Sequence, residues 1–286
     1  MKIILIKIGI FILNIIYFFI KLFPINKNKV TFISRQSNEV SLDFTMIAKE
    51  LKQQNENIKI VFLCKKLGTS FSEKVKYCFH MVKQMYNIAT SKVVILDSYC
   101  IPVCVLKQKK KLVVIQIWHA LGSLKKFGYS SLDKKDGRNS KLAKAMKMHR
   151  NYTYILTSSN LSKKFFKEAF NARDEQMLVM NLPRVDFLKS EKEQEKMRIR
   201  FVGVYPETNN KKQNILYCPT NRKGQKIPIE NIVKDIPLDK YNFIAKLHDG
   251  TEVIYVKGKK IEKTSNFTGM ELLHVADYII TDYSAI

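Results

Sequence analysis

The amino-acid sequence predicts an α/β protein with two Rossmann-like, doubly wound parallel-sheet domains, the second of them incomplete at its C-terminal end. Short apolar runs rich in β-branched residues recur along the chain and alternate with longer helical stretches, which is the pattern of strands joined by crossover helices. These runs are apolar at nearly every position, as expected for strands that are covered on both faces of a parallel sheet. The alternation begins again after a charged and polar stretch, which indicates a second domain.

An apolar segment opens the chain and is the first predicted element. Residues 3–23 are apolar except for Lys7, Asn14 and Lys21, and their number is close to the ~20 residues that span a bilayer. Basic residues in and around the segment favour a helix lying in the membrane interface, or a short anchor with its basic flank in the cytoplasm. A buried first helix of the folded domain is the alternative. We expect residues 1–25 to associate with the cytoplasmic face of the cell membrane.

The first α/β domain is expected at residues 26–195. Its predicted strands are 30–34, 58–64, 93–96, 112–118, 152–157 and 177–180. Helical stretches at 41–53 and 71–88 follow the first two strands, and a basic helical stretch at 141–149 precedes the fifth. A further helix is expected after Ser159, because the apolar residues that follow it recur on one helical face.

A linker is predicted at residues 196–211, within a charged helix that runs into a polar segment. The second α/β domain is expected at 212–286, with strands at 214–220, 241–247, 253–256 and 278–281. The sequence ends directly after the last strand, whereas a strand of a parallel sheet normally leads into a covering helix. We therefore expect a truncated product or a fragment whose second sheet has an exposed face. Two such domains would give a GT-B-like architecture.

The charge of the chain is strongly unbalanced. Fifty Lys and Arg residues against 25 Asp and Glu residues give a net charge of +25, which favours anionic partners such as lipid headgroups, nucleotide phosphates or polyanionic polymers. A solvated lysine-rich surface is the simpler alternative. No helix-turn-helix, zinc-finger or RNA-binding signature accompanies the charge, so no nucleic-acid partner is expected. No metal-ligand cluster or glycine-rich dinucleotide motif is present either, and we expect no metal and no cofactor.

The stretch IQIWHALGSLKKFG at residues 115–128 is the richest in groups that could carry chemistry. It begins as a strand, and ligands of open α/β sheets bind at the carboxyl ends of strands. His119 at this end could accept a proton from an attacking hydroxyl, and Gly122 would allow close approach to the backbone. Lys125 and Lys126 could bind phosphate oxygens. Considered alone, a single histidine after a strand is more often structural than catalytic.

This stretch resembles the WHxxGxxKKFG signature of the CDP-glycerol glycerophosphotransferase family, which includes CDP-ribitol enzymes. Other segments resemble motifs of the same family in the same order: LDSY (96–99), NLPRVDFL (181–188), YCPTNR (217–222), AKLHD (245–249) and ELLHVADYIITDYSAI (271–286). Six motifs in order are considerably more specific than one. The sequence departs from the usual motif residues at Asn181, Asn221, Asp249 and Ala285.

The resemblance implies a transferase of teichoic-acid-type wall or surface polymer synthesis. A hydroxyl of a polyprenyl-diphosphate-linked glycan acceptor would attack the β-phosphorus of CDP-glycerol or CDP-ribitol, and CMP would leave. His119 would be the general base and His248 would contact the pyrophosphate. The remaining residues that the resemblance places at the donor and its phosphates are Thr220, Arg222, Lys246, Asp282 and Ser284. The alternative, purely structural roles are a place in a solvated basic turn for Arg222 and helix capping for Asp282 and Ser284.

Two other functions compete with this one. A GT-B glycosyltransferase that uses a nucleotide sugar would share the predicted fold. A truncated, inactive remnant that only binds membrane would fit the early end of the sequence. The set of motifs argues against the glycosyltransferase.

Overall fold

The computed structural model describes residues 2–135, 137–220, 228–247, 251–256, 259–264 and 266–282. The chain folds into two compact units, Met1–Arg184 and Val185–Ile286. Each unit contains a β-sheet with helices packed against it, so the predicted α/β class is confirmed.

The first unit contains all the strands that were predicted for the first domain. Its described strands are β1 (Asn26–Ser34), β2 (Lys59–Cys64), β3 (Ser91–Leu96), β4 (Val113–Gln116), β5 (Tyr154–Thr157) and β6 (Met177–Val179). Its described helices are α1 (Lys2–Ile20), α2 (Leu42–Gln54), α3 (Phe71–Thr90), α4 (Ile101–Val105), α5 (Ser140–Ala145) and α6 (Asn160–Phe170), and α7 (Pro183–Lys189) begins at its end.

The strands of the first unit form one parallel sheet in the order β2-β1-β3-β4-β5-β6. The direction in which strands are added reverses between β1 and β3. The carboxyl ends of these two strands therefore border the topological switch point, which is where open α/β sheets bind ligands.

Apolar side chains cover both faces of this sheet. In β1, Phe32 packs into one core together with Phe44 of α2, whereas Ile33 packs into a second core together with Met85 of α3. The two side chains diverge because successive residues of a strand point to opposite faces. The side chain of Ser41 accepts a hydrogen bond from the amide of Phe44 and so caps the start of α2.

Helix α1 packs along the first unit with one of its faces. Tyr17 is only 1% exposed, and Ile10, Leu13 and Ile20 pack against the same core. These residues are three or four positions apart and therefore share a helix face. The segment Ile3–Ile20 has a mean hydropathy of 2.6 and is, by length and composition, able to cross a membrane. The apolar side chains on the other side of α1 are exposed.

The second unit is built around a smaller sheet. Its described strands are β7 (Gln213–Cys218), β8 (Tyr241–Lys246), β9 (Thr251–Val256), β10 (Lys259–Thr264) and β11 (Tyr278–Thr281), in the order β10-β9-β8-β7-β11. Its described helices, after α7, are α8 (Glu191–Val204), α9 (Ile229–Val233) and α10 (Gly269–Leu273). The expected exposed sheet face is present at β11, where Ile279 is 52% exposed.

The second sheet is mixed, which corrects the expectation of a wholly parallel one. β7 pairs in parallel with β8 and β11, but β9 runs antiparallel to both β8 and β10. Only residues 247–250 separate β8 from β9, and a parallel crossover needs a dozen or more residues. The short connection therefore forces an antiparallel pair.

The boundary between the units lies earlier than the predicted linker. Residues 196–211 were expected to be a linker, yet most of α8 falls within them. Met197, Phe201 and Tyr205 are each buried in a core of the second unit. Their spacing of four places them on one face of the helix. The charged stretch therefore packs as part of the second unit.

Candidate active site

His119 lies at the carboxyl edge of the first sheet, three residues after the end of β4. Its ring is close to residues that follow two other strands: Gln36, after β1, and Asp97, after β3. These are the strands that border the switch point. The sheet topology therefore places His119 where the sequence predicted it, at the ligand-binding edge.

The hydrogen bonds of His119 define its tautomer. Nδ1 lies 2.8 Å from the backbone oxygen of Asp97. The amide nitrogen of Gln36 lies 3.3 Å from Nδ1, but it is itself a donor, so the shorter contact with the carbonyl decides the tautomer. A carbonyl oxygen can only accept, so in the neutral ring Nδ1 carries the proton and donates it. Nε2 then carries the lone pair, and it makes no hydrogen bond to any residue that the structure describes. A histidine held in this way is able to act as a base.

The surroundings of His119 keep the ring neutral. Burial lowers the pKa of His119 below its ordinary value, and the nearby charge of Arg184 acts in the same direction. The hydrogen bond to the Asp97 carbonyl opposes both effects by favouring the protonated form. The net lowering leaves Nε2 unprotonated near neutral pH, which is the form that a general base requires.

Arg184 and Asp43 fix the backbone around His119. Arg184 Nη1 donates to the backbone oxygen of His119 at 3.3 Å, and Arg184 Nε donates to Asp43 Oδ2 at 2.8 Å. Asp43 is 1% exposed and also accepts from the amide of Arg184 at 2.9 Å. A carboxylate buried this deeply needs a cation and several donors beside it, and Arg184 supplies both.

Trp118, directly before His119, holds a strained backbone conformation. Its φ of 60° lies in the left-handed region, which a bulky residue rarely adopts. The indole ring is stacked on Phe127 at 4.8 Å between centroids, and it meets Phe170 edge-on at 5.2 Å. Packing of this kind holds the strained turn in place and thereby sets the direction of the following histidine.

The predicted phosphate-binding loop follows His119 and is accessible. A Cβ added at Gly122 would meet no atom within 4 Å, so this glycine faces open space. Lys125 and Lys126 are both exposed. Lys126 also lines a cavity of about 210 Å³ that has Trp118 in its wall. The arrangement is compatible with a ligand approaching the backbone at Gly122.

Two of the predicted donor residues meet in the second unit. Thr220 follows β7 and Asp282 follows the neighbouring β11, and the amide of Thr220 donates to Asp282 Oδ1 at 2.7 Å. The hydroxyl of Thr220 donates to the same oxygen. The structure thus brings these two residues together at the carboxyl edge of the second sheet, and this carboxylate serves to hold Thr220.

Lys246 ends β8, next to β7 in the same sheet. Its ammonium group lies 3.5 Å from Oε1 of Glu252, which is buried. Glu252 also accepts from the hydroxyl of Tyr205 at 2.6 Å and from the amide of Phe267 at 3.1 Å. This network positions the lysine at the same edge as Thr220. Three other predicted site residues, Arg222, His248 and Ser284, lie outside the described residues.

His149 is buried, although it lies among basic residues in the sequence. α5 ends before it and the side chain is 8% exposed. Nδ1 lies 3.1 Å from the hydroxyl of Tyr152, and the ring meets Trp118 edge-on at 6.0 Å. Burial, with a smaller contribution from Arg138, lowers the pKa of His149 to about 3.

Sequence reasoning missed several residues that contact His119. Asp97 is 4% exposed, its Oδ1 has no hydrogen-bond partner within the described ranges, and burial raises the pKa of its carboxyl. The available signals were the motif segments 96–99, which contains Asp97, and 181–188, which contains Arg184. Gln36 lies two residues after the end of β1. Nothing local links Arg184 to Asp43, because they are 141 positions apart in the sequence.

A family model described as CDP-glycerol:poly(glycerophosphate) glycerophosphotransferase matches residues 15–286. The teichoic acid ribitol-phosphate primase of Bacillus spizizenii is 29% identical over 280 residues, which are 93% of this chain and 70% of that primase. The teichoic acid glycerol-phosphate primase of Bacillus subtilis is 30% identical over 218 residues, which are 72% of this chain and 55% of that primase.

A solved structure of the wall teichoic acid polymerase TagF is similar in fold. It matches with a TM-score of 0.68 at 16% sequence identity, over 99% of this chain and 74% of the TagF chain. The likeness supports the predicted GT-B-like α/β class. Because the family model covers almost the whole sequence, the resemblance drawn from the motifs is confirmed. The chain belongs to the CDP-glycerol:poly(glycerophosphate) glycerophosphotransferase family.

Proposed function

We propose that this chain transfers glycerol phosphate or ribitol phosphate from a CDP-alditol to a lipid-linked acceptor in teichoic acid synthesis, releasing CMP. Its family consists of phosphotransferases, and its relatives include a glycerol-phosphate primase and a ribitol-phosphate primase. One observation on this chain carries the proposal: at the ligand-binding edge of its sheet, the neutral His119 ring presents an Nε2 that has no hydrogen-bond partner among the described residues. Family membership favours this activity over that of a glycosyltransferase using a nucleotide sugar.

In the proposed reaction His119 acts as the general base. Nε2 accepts the proton of the acceptor hydroxyl while its oxygen attacks the β-phosphorus of the donor. A new P–O bond forms, and the bond between the β-phosphorus and the oxygen of the CMP group breaks. The Asp97 carbonyl stabilises the imidazolium that results, because its hydrogen bond with Nδ1 strengthens when the ring becomes cationic.

The second unit supplies the proposed donor site. Lys246 offers positive charge to the diphosphate, because phosphoryl transfer depends mainly on positioning and on neutralising charge. Asp282 positions Thr220 through its two hydrogen bonds and so shapes the loop after β7. Arg222, His248 and Ser284 complete the proposed set. In the first unit, the loop with Gly122, Lys125 and Lys126 would bind phosphate oxygens.

Attachment to an anionic membrane surface at the cytoplasmic face is part of this proposal. The outward side of α1 and a stripe along α3 together expose a row of large apolar side chains, which we call the apolar surface: Ile4, Leu5, Ile8, Phe11, Ile12, Ile15, Phe18, Phe19, Phe71, Val75, Phe79, Val82 and Tyr86. Helices α1 and α3 contact each other. The ring centroids of Phe23, which follows α1, and of Tyr86 in α3 are 5.4 Å apart. An apolar face of this kind, with α1 docked on the protein, favours a helix lying in the interface.

The proposal is tested by measuring CMP release from CDP-glycerol and from CDP-ribitol, using membranes that contain the full chain. His119→Gln keeps a polar side chain of similar reach but cannot accept the proton. We expect kcat to fall by about 10²–10⁴-fold with little change in the donor KM. The wild-type rate should fall as the pH drops through the pKa of His119, below the ordinary ~6.5 of histidine.

The matched control is His80→Gln, which makes the same chemical change on α3, away from the site. It should keep near-native kcat. If His119→Gln also kept near-native kcat, His119 would be a structural residue at a strand end and the proposed mechanism would fail. Turnover of a UDP-sugar without any CMP release from either CDP-alditol would instead support a glycosyltransferase.

A further inference from the structure

A second candidate site lies in the first unit, beside His149. A cavity of about 560 Å³ opens there between α5, the turn that follows it and the end of α6. Its wall includes Tyr129, Lys144, His149, Arg150 and Asn171. The volume is in the range of small-molecule sites, ~300–1,000 Å³. None of the roles proposed above uses this cavity.

The wall of the cavity is positively charged. Lys144, Lys147 and Arg150 line it, and the adjoining cavity that shares His149 adds Lys126 and Arg138. Among the described residues that line either cavity there is no aspartate or glutamate. Lys144 and Arg150 make no ion pair or side-chain hydrogen bond with any part of the chain that the structure describes. Two cations without partners in a concave wall favour a multiply charged anion.

The backbone of this wall is held in a strained form. Lys147, His149 and Asn151 all have positive φ, at 47°, 56° and 69°, a backbone conformation that is unfavourable for residues other than glycine. The side chain of Asn151 donates to the backbone oxygens of Val103 and Leu106 at 2.9 and 3.0 Å, which fixes the turn. The cavity is therefore formed before any ligand arrives, and a ligand does not have to order it.

The position of the cavity indicates where its ligand comes from. α5 contributes Ser140 and Lys144 to the wall and also packs against α1, whose other side belongs to the apolar surface. A ligand with an apolar tail in the membrane and a charged group at headgroup level could reach both features. His149 stays neutral because burial lowers its pKa, so the positive charge of the wall comes from the lysine and arginine side chains.

We propose that this cavity binds the diphosphate of the prenyl-diphosphate-linked acceptor, through Lys144 and Arg150. The inference rests on the proposed function, because it names the part of the protein that recognises the lipid carrier of that acceptor. It assigns the cavity to the acceptor and not to the donor. The cavity holds the carrier while the distal hydroxyl of the acceptor reacts elsewhere.

The test uses the purified full chain and farnesyl diphosphate as the probe. Trp118 is the only tryptophan in the sequence, and its ring is 6.0 Å from that of His149, so its fluorescence reports on the cavity. Farnesyl diphosphate should change this fluorescence saturably, and inorganic pyrophosphate should compete. Lys144→Gln/Arg150→Gln should raise the dissociation constant at least about tenfold. The control Lys135→Gln/Lys141→Gln removes the same charge outside the wall and should change it less than about twofold.

Several results would overturn the assignment. One is the absence of saturable farnesyl diphosphate binding by the wild type. Another is an equal loss of affinity for farnesyl diphosphate in the two double variants. A third is displacement of farnesyl diphosphate by CDP-glycerol. A fluorescence response to phosphatidylglycerol in phosphatidylcholine vesicles would also overturn the assignment if farnesyl diphosphate does not compete with it. That result would assign the cavity to bulk lipid headgroups. A chain that binds farnesyl diphosphate as expected but releases no CMP would contradict the proposed transfer while the diphosphate site stands.

Discussion

At the scale of single residues, the hydrogen bonds of individual polar atoms decide much about this protein, and those of the His119 ring are one example. Its role depends on one backbone oxygen, that of Asp97, which fixes the proton on Nδ1. No side chain at position 97 is needed for that bond. The buried carboxyl of Asp97 therefore serves another purpose at the switch point, and its Oδ1 is without a partner in the described part of the chain.

Two buried tyrosines provide a matched test of such atoms. Tyr205 donates to buried Glu252 at 2.6 Å, whereas the hydroxyl of Tyr77 has no partner among the described residues. Tyr205→Phe should lower the free energy of unfolding by about 1–3 kcal/mol, because Glu252 loses a donor. Tyr77→Phe should be neutral or stabilising, because it removes an unpaired buried hydroxyl and keeps the ring on Arg35.

Urea denaturation of the two variants and the wild type measures these differences. Both substitutions remove one oxygen atom from a ring that is at most 2% exposed, so burial of the ring itself cancels in the comparison. An equal loss of stability in both variants would show that the hydroxyl of Tyr77 is hydrogen-bonded in the folded protein, for example to a buried water.

At the scale of elements, α1 and α3 act together. The face of α1 that carries Tyr17 is part of the core of the first unit. Removing the whole N-terminal segment would therefore disturb the fold as well as any attachment, and it cannot report on the membrane alone. Exposed residues of α3 allow a cleaner test, because they are not packed in the core.

Phe71→Ser/Phe79→Ser should weaken binding to vesicles of phosphatidylcholine and phosphatidylglycerol. These side chains are 83% and 74% exposed, and burying each in lipid contributes about 1 kcal/mol or more. The partition coefficient should fall at least about tenfold in a vesicle flotation assay. Leu161→Ser/Ile199→Ser, at residues 75% and 65% exposed on other helices, is the control. Equal loss in both variants would show that α3 does not contact the membrane.

At the scale of the whole molecule, buried neutral histidines make stability depend on pH. The pKa of His149 is about 3 in the folded protein and ~6.5 when unfolded. The unfolded chain therefore binds more protons between these values, and stability falls as the pH decreases through this window. The loss from this residue has a slope of up to ~1.4 kcal/mol per pH unit.

The variant His149→Phe keeps a ring in the aromatic cluster but cannot titrate. Thermal unfolding of both proteins between pH 7 and pH 4 measures the effect. The melting temperature of the wild type should fall more steeply than that of the variant, whatever their absolute values. Parallel curves would mean that His149 has the same pKa in the folded and the unfolded protein and is therefore not held neutral by burial.

The sequence by itself determined the strand and helix pattern, the family and the strand ends that carry the site. Apolar runs and helical periodicity are local, so β1 to β6 were predictable from neighbouring residues alone. The family resemblance placed Thr220 and Asp282 together at the donor, and the two residues do meet, because parallel neighbours end at one side of a sheet. The antiparallel β9 was also open to prediction, because its connection to β8 is too short for a parallel crossover, a feature that strand composition alone does not reveal.

Only the tertiary structure decided which distant residues support His119 and which polar residues are buried. Asp43 and Arg184 pair across 141 positions, and no periodicity links them. His149 lies among basic residues in the sequence, yet a left-handed turn directs it into an aromatic cluster. The charged residues of α8 likewise concealed the face formed by Met197 and Phe201. Burial depends on what packs against a residue, and that is set by chain segments far away in the sequence.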